Sequence, residues 1–298
     1  MEVCKLKPAV KSYIWGGNYF KKYFDVKENI VSELWVLSTR EDSSIIDSGI
    51  NKGKLLKDII KEEDVGPISK EFPYFPLLIK LIDAKENLSV QVHPSDEYAL
   101  KNENSFGKTE MWYVLDNDEG AGLYVGLNNN YSKEEIEEKL KKGTILEALN
   151  FYPVNKGEVY LINSGTIHAI GAGVRIIEIQ QNSDLTYRLY DYKRKDKNGN
   201  ERELHIDKAL KVIDYKKYEN GSYFTNNTLK TPYFDVKVID VNDELILKAD
   251  KKSFISFTVI EGNGEANNIE FDKFDTFFIP YNKECLIKGK AKIIVSSL

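Results

Sequence analysis

The order of apolar and polar positions along the chain predicts a protein built mainly from short β-strands. Aromatic and β-branched residues dominate, and short apolar runs recur between Gly, Asn and Asp residues. The clearest strand candidates are 76–84, 87–94, 109–118, 122–128, 157–165 and 173–183. Many short strands separated by turn residues are typical of a β-sandwich or jelly roll.

Helical patterns are few and short. Ser132–Glu135 has the sequence of a capping box and is followed by apolar residues on one helix face, which predicts an inserted helix or helix pair over 132–149. Further short helices are predicted at 54–61, 95–101 and 205–218.

Composition along the chain also predicts a division into two units. The polar run 193–204, with its glycine, is predicted to form an exposed hairpin or loop, and 220–227 has the composition of a linker. We therefore predict an N-terminal domain at 1–228 with helical insertions and a C-terminal β domain at 229–298. The second unit contains no histidine, so we expect it to be metal-free and structural.

Charge and cysteine content narrow the expected partners and location. The net charge is −5, and a mildly acidic surface repels nucleic acid and anionic lipid, so neither is an expected partner. No run approaches the roughly 20 apolar residues of a membrane span, and no signal peptide is apparent, so we expect a cytoplasmic protein. The only cysteines, Cys4 and Cys285, form no disulfide framework, although a single bridge between them stays open. We expect a monomer or homodimer.

A metal site in this chain has to use its few histidines. There are three, His93, His168 and His205. Gln91 and His93 are two apart on a predicted strand, so their side chains share a face, and Glu110 opens the next strong strand. Two nitrogen and two oxygen ligands suit zinc or a similar divalent ion. From spacing alone, such histidines are more often hydrogen-bonded residues of the core or surface than metal ligands.

An acidic protein with an anionic substrate needs a locally basic pocket. Lys108 precedes Glu110 by two positions, and Arg188 lies four residues after Asp184. From spacing alone, Arg188 is better explained as a surface residue paired with Asp184 or Asp191. Ser89 shares the strand face of Gln91 and His93 and could donate a hydrogen bond to a phosphate.

Several motifs, in order over roughly residues 8–210, carry a family resemblance. They are WGG (15–17), ELWVLS (33–38), FPLLIKLIDAKENLSVQVHPSDEYA (75–99), GKTEMWYVL (107–115), GTIHAIGAG (165–173) and NSDLTYRLYDY (182–192). The chain resembles the type I mannose-6-phosphate isomerases (phosphomannose isomerases) in their compact bacterial form. It reads Lys108–Thr109–Glu110 where the longer forms have K-P-E, and it lacks room for their helical insertion.

The resemblance implies a fold, a metal and roles for individual residues. It implies a cupin-type jelly roll for both halves, with the first as the catalytic domain, and one Zn²⁺ per chain. The implied zinc ligands are Gln91, His93, Glu110 and His168. It also implies that Arg188 is catalytic and that Lys108 and Asp184 line the same pocket, with Ser89, Lys108 and Arg188 as the residues expected to bind substrate. Trp15 and Trp35 are expected to pack near the site.

The implied reaction is the zinc-dependent interconversion of mannose 6-phosphate and fructose 6-phosphate by proton transfer between C1 and C2, through a cis-enediol. Lys108, Asp184 and a metal-bound water are alternative bases. Alternative functions are isomerisation of another aldose or aldose phosphate, an iron-dependent cupin dioxygenase, and a non-catalytic sugar-binding cupin. His205 lies in no recognised motif and is expected to be structural or exposed.

Overall fold

The structure is a computed structural model that describes residues 1–72, 74–196, 198–221, 223–249 and 252–298. The strands within these ranges are β1 (Cys4–Lys7), β2 (Ala9–Lys11), β3 (Glu33–Leu37), β4 (Ile45–Ile46), β5 (Leu77–Ala84), β6 (Val90–Val92), β7 (Glu110–Asn117), β8 (Gly122–Leu127), β9 (Leu149–Pro153), β10 (Val159–Ile162), β11 (His168–Ile170), β12 (Val174–Gln181), β13 (Tyr187–Tyr190), β14 (Thr228–Lys230), β15 (Asp235–Val241), β16 (Glu244–Lys248), β17 (Ile255–Ala266), β18 (Ile269–Phe271), β19 (Thr276–Ile279) and β20 (Glu284–Ser297). The α-helices are α1 (Leu56–Ile59), α2 (Glu62–Val65), α3 (Asp96–Asn102), α4 (Lys133–Lys142) and α5 (Ile206–Ala209).

These strands form three antiparallel sheets. The six-stranded sheet has the order β10-β7-β12-β5-β3-β2, and the five-stranded sheet has the order β13-β6-β11-β8-β9. The nine-stranded sheet has the order β14-β15-β20-β17-β19-β1-β4, with β16 added beside β20 and β18 beside β17.

The six-stranded sheet is covered on both faces. Trp112 and Val114 of β7, on one face, pack in a cluster that includes residues of the five-stranded sheet. Met111 and Tyr113, on the opposite face, pack in a cluster that includes residues of the nine-stranded sheet. Because successive side chains alternate along a strand, each buried strand here supplies two separate cores. This explains why β5, LLIKLIDA, is buried over its whole length.

Helices cover the outer face of the five-stranded sheet. Ile136 of α4 and Ala209 of α5 belong to one buried cluster with Val90 and Val92 of the β6 strand. The predicted capping box is present at the start of α4, where Ser132 Oγ accepts from the backbone N–H of Glu135.

The nine-stranded sheet encloses an interior of its own, which is aromatic and apolar. The rings of Phe257 and Phe277 stack at 4.9 Å with an interplanar angle of 3°, and Phe271 packs edge-on to Phe277. Their fully or almost fully buried side chains belong to one cluster with Val259 and Ile287.

The strand predictions are confirmed for all six candidate runs, which contain β5, β6, β7, β8, β10 and β12. The helix predicted at 95–101 is confirmed by α3, whereas the other three helix predictions were too long. The segment 132–149 contains α4 followed by a 3₁₀ turn at Ile145–Ala148, and β9 begins at Leu149. The predicted helices at 54–61 and 205–218 shrink to the four-residue α1 and α5.

The predicted boundary at 228/229 stays a prediction. Strand pairing crosses it, because β1 and β4 of the N-terminal part belong to the nine-stranded sheet, where β1 pairs with β19. Cys4 and Cys285 are both buried free thiols, so the bridge that the sequence left open is not formed. No helix in the described ranges combines the length and hydrophobicity needed to cross a membrane.

Candidate metal centre and substrate cavity

The five-stranded and the six-stranded sheet both contribute residues to one site. Gln91 lies at the centre of β6, directly opposite His168 of β11 on one side and Arg188 of β13 on the other. Directly opposite residues of an antiparallel pair point to the same face, so these three side chains form a row. His93 follows β6, and Glu110, the first residue of β7, comes from the facing six-stranded sheet.

Three buried side chains converge closely enough to hold one metal ion. One ligand atom from each of His93, Glu110 and His168 lies within 4.8 Å of the others. Glu110 Oε1 is 3.3 Å from His168 Nε2, and Glu110 Oε2 is 3.6 Å from His93 Nε2. The side-chain amide of Gln91 joins them, with its Nε2 atom 3.3 Å from His168 Nε2, and a half-turn of the amide would present its oxygen instead.

The backbone orients both imidazoles. His93 Nδ1 donates to the carbonyl of Leu185 at 2.7 Å, and His168 Nδ1 donates to the carbonyl of Thr166 at 2.9 Å. Each Nε2 therefore presents a lone pair towards Glu110. Burial, followed by the nearby Lys108 ammonium, lowers the pKa of His93 to about 4, and burial also lowers the pKa of His168.

The donor set fits a divalent cation. His93 Nε2 and Glu110 Oε1 are buried without hydrogen-bond partners in the described part of the chain. Burial alone would raise the pKa of Glu110, but Lys108 and the two imidazoles hold it well below its usual range. A carboxylate and two unprotonated ring nitrogens repel one another at these distances because all three present lone pairs, and a metal ion bound between them would remove that repulsion. Imidazole and carboxylate ligands together suit zinc.

A chain of buried charges continues from the cluster. Lys108 Nζ lies 2.7 Å from Glu110 Oε2 and 3.8 Å from Glu178 Oε1, and Glu178 Oε1 accepts from Lys80 Nζ at 2.8 Å. Burial alone would lower the pKa of Lys80, but Glu178 and then Glu33 outweigh it and raise that pKa. Alternating cations and carboxylates thus run along the floor of the site.

These charges form part of the wall of a cavity of about 460 Å³. Trp15 and Trp35, expected to pack near the site, both line it, and Trp15 stacks on Tyr13 with ring centroids 5.5 Å apart. Aromatic rings with a few polar groups between them are typical of a small-molecule site.

Ser89, Lys108, Asp184 and Arg188 also line this cavity. Neither aspartate that spacing offered as a partner pairs with Arg188: Asp184 Oδ2 lies 2.5 Å from Arg40 Nη2, and Asp191 pairs with two other arginines. The Arg188 guanidinium instead donates from Nη1 to the carbonyl of Glu203 at 2.7 Å.

His205 lies in the same cavity but outside the metal cluster. The ring Nδ1 of His205 accepts from the backbone N–H of Arg188 at 3.1 Å, and the backbone N–H of His205 donates to the Arg188 carbonyl at 2.7 Å. His205 thus has a structural contact of the kind expected, and it holds the backbone that carries Arg188.

Comparison with known proteins decides the family. The family model described as "Phosphomannose isomerase type I, catalytic domain" matches residues 3–128. Mannose-6-phosphate isomerase ManA of Bacillus subtilis is 36% identical over 309 residues, covering 98% of each chain. The chain belongs to the type I phosphomannose isomerase family. A mannose-6-phosphate isomerase of Streptococcus mutans is 40% identical over 73% of this chain and 69% of its own.

Solved structures agree with this family membership. The crystal structure of the Bacillus subtilis mannose 6-phosphate isomerase superimposes with a TM-score of 0.90 and 34% identity over the whole of both chains. A putative mannosephosphate isomerase from Archaeoglobus fulgidus shares the fold, with a TM-score of 0.82 and 22% identity over 99% of this chain and 97% of its own. The predicted resemblance and the mainly β, cupin-type fold are confirmed.

Sequence reasoning missed Glu33, Lys80 and Glu178 of this phosphomannose isomerase family member. All three sit inside apolar strand segments, and register places Lys80 directly opposite Glu178. A charged residue within a run that is otherwise apolar was the available signal, because such a residue is buried with its neighbours and needs a partner there.

Proposed function

We propose that this chain interconverts mannose 6-phosphate and fructose 6-phosphate. The observation that carries the proposal is the convergence of His93, Glu110 and His168 beside a basic, aromatic-lined cavity, in a chain that belongs to the type I phosphomannose isomerase family. The cavity is of a size that suits a sugar phosphate. We place the reaction in cytoplasmic carbohydrate metabolism.

Zinc is the proposed metal, one ion per chain, held by Gln91, His93, Glu110 and His168. When bound there, it would act as a Lewis acid that polarises the carbonyl and hydroxyl oxygens of the substrate. Starting from mannose 6-phosphate, the chain's own residues then have to place C1 and C2, stabilise negative charge on oxygen, carry one proton from C2 to C1 and carry a second from the C2 hydroxyl to the C1 oxygen.

We propose that Arg188 and Lys108 supply positive charge as the cis-enediol forms. A guanidinium is permanently charged, so Arg188 can stabilise a developing oxyanion but is a poor base. We propose that Lys108 and Glu178, whose Nζ and Oε1 atoms lie 3.8 Å apart, transfer the proton between C1 and C2. Asp184 is proposed to act from the rim of the cavity, through its pairing with Arg40, and Ser89 to bind substrate.

The two predicted units receive different proposed roles. Residues 1–228 are proposed as the catalytic cupin domain, and 229–298 as a structural cupin-like domain without a metal. A monomer or homodimer is the proposed assembly.

The test combines metal content with a coupled mannose 6-phosphate assay, before and after chelation. We expect chelation to abolish turnover and added Zn²⁺ to restore it. His93→Ala should lose both metal and turnover, whereas Arg188→Ala should keep the metal and lose about a hundredfold or more in kcat/KM. His205→Asn is the matched control for metal content, because His205 shares the cavity but not the cluster.

Full turnover in exhaustively demetallated protein would refute the metal-dependent reaction. If mannose 6-phosphate is untouched and a different aldose turns over, the substrate assignment fails and the site assignment survives. Sugar binding without any turnover in the metal-loaded protein would favour a non-catalytic role, and bound iron with oxygen consumption would favour a dioxygenase.

A further inference from the structure

The polar run 193–204 does more than form an exposed turn. Its arginines, Arg194 and Arg202, fold back onto one carboxylate, that of Asp191. Arg202 binds Asp191 with two hydrogen bonds, Nε to Oδ2 at 2.7 Å and Nη2 to Oδ1 at 2.5 Å, and Arg194 Nη2 reaches Oδ1 at 2.5 Å. The two arginines differ in one respect: Arg202 lines the cavity of the metal centre, and Arg194 does not.

Around the cavity, Arg188 and Arg202 differ from the other cations in having no carboxylate to themselves among the described residues. Lys208 is paired with Glu103 at 2.8 Å, Arg40 with Asp184, and Lys80 and Lys108 with the buried glutamates. Arg202, by contrast, pairs with Asp191 alone among the described residues and shares that carboxylate with Arg194, which also lies 3.7 Å from Glu86. Arg188 forms no ion pair with any carboxylate of the described residues.

Both guanidiniums keep hydrogen-bonding capacity. Asp191 occupies one edge of the Arg202 guanidinium, and Nη1 on the other edge makes no hydrogen bond within the described ranges. Arg188 Nε is buried and has no partner there. Burial, followed by the nearby Arg202 guanidinium, lowers the pKa of Arg188, and the Asp191 carboxylate opposes part of this effect.

We propose that Arg202, held by Asp191, is a phosphate-binding residue that acts with Arg188 at the wall of the cavity. A guanidinium edge matches two phosphate oxygens, and two such edges neutralise a dianion. Arg194 binds the same carboxylate but does not line the cavity, which makes it the matched control for Arg202. The inference deepens the proposed function by naming the group that would recognise the phosphate end of its substrate.

Arg202→Gln, Arg194→Gln and the wild type test this assignment, in metal-loaded protein. The first measurement is calorimetric binding of inorganic phosphate, and the second is KM and kcat with mannose 6-phosphate. We expect R202Q to weaken phosphate binding and raise KM by roughly tenfold or more, since a hydrogen-bonded charge is lost, while kcat changes less than threefold. R194Q removes an Asp191 partner without altering the cavity wall, so its phosphate affinity should stay within twofold of wild type.

Unchanged phosphate affinity in R202Q would overturn the assignment, and so would an equal loss in R194Q, which would point to a purely structural cluster. If R202Q does not fold, Arg202→Lys replaces it: a lysine cannot reach both Asp191 and an anion with two edges, so affinity should still fall at least about fivefold. Arg202-dependent phosphate binding in a protein that does not isomerise mannose 6-phosphate would support this inference and refute the proposed function. If the protein isomerises mannose 6-phosphate and R202Q binds phosphate as tightly as the wild type, the proposed function is supported and this inference is refuted.

Discussion

The two β-structures of this molecule fill their interiors in opposite ways. Between the six- and five-stranded sheets, Lys108, Glu110 and Glu178 are buried together with two imidazoles. Inside the nine-stranded sheet, the corresponding space holds stacked phenylalanines such as Phe257 and Phe277. Burying ionised groups is costly even when they are paired, whereas apolar packing stabilises the fold directly. Because the second interior needs no charges to fold, the charges of the first are best explained by what they bind.

The largest effect is expected from breaking the buried charge chain. Lys80→Met should lower the free energy of unfolding by about 3–5 kcal/mol, because it removes the cation beside Glu33 and leaves Glu178 with only the more distant Lys108. The double variant Lys80→Met/Glu178→Gln should recover part of this loss in urea unfolding, with a coupling of about 1 kcal/mol or more. Turnover should not recover with it. A double variant that regains both stability and turnover would show that these charges serve the fold alone.

An effect of similar size on stability, without one on turnover, is expected in the other interior. Phe277→Ala removes a fully buried ring that stacks on Phe257, so unfolding should become easier by about 3–5 kcal/mol. The kcat, measured well below the unfolding transition, should match the wild type. A fall in kcat of tenfold or more at full folding would contradict the functional separation of the two interiors.

A smaller effect is expected from pH in metal-free protein. Burial and Lys108 lower the pKa of His93 to about 4 from an ordinary value of 6.5. Between these values the unfolded chain binds more protons than the folded chain, so stability is greatest above pH 6.5 and falls as the pH approaches 4. Over that range the loss amounts to about 3 kcal/mol at most.

Urea unfolding of chelated protein at pH 7 and pH 5 measures this loss. His93→Gln should reduce the slope because it removes one of the two imidazoles whose pKa burial lowers, and His168 should keep the remainder. An unchanged slope in His93→Gln would assign the pH dependence to other residues.

Residues with regular spacing along the strand segments were the most predictable part of this chain. The alternation through β6 and the residue after it placed Gln91 and His93 on one face, and the strong pattern around Glu110 marked the start of β7. These features depend on local backbone geometry, which the order of residues determines directly. The capping box before α4 was predictable for the same reason.

Other features depend on distant partners and could not be predicted from local patterns. The helix prediction at 205–218 overestimated α5, because the segment packs on β13 through His205 and then turns. The run 193–204 looked like a solvated loop, since nothing local shows that Asp191 binds two of its arginines. Lys80 was passed over because its partner Glu178 lies 98 positions away in the chain.

The pairing of β1 with β19 has a consequence for how the chain is made. Cys4 and Phe278 are register partners, so β1 has to wait for a strand that is synthesised much later. At about 5–20 residues per second, that wait is on the order of 15–50 seconds. During that time the short β1 segment has no permanent neighbour on that side. A fragment beginning at residue 229 would lack β1, so β19 would become an edge strand with unpaired backbone groups, and we expect such a fragment to self-associate.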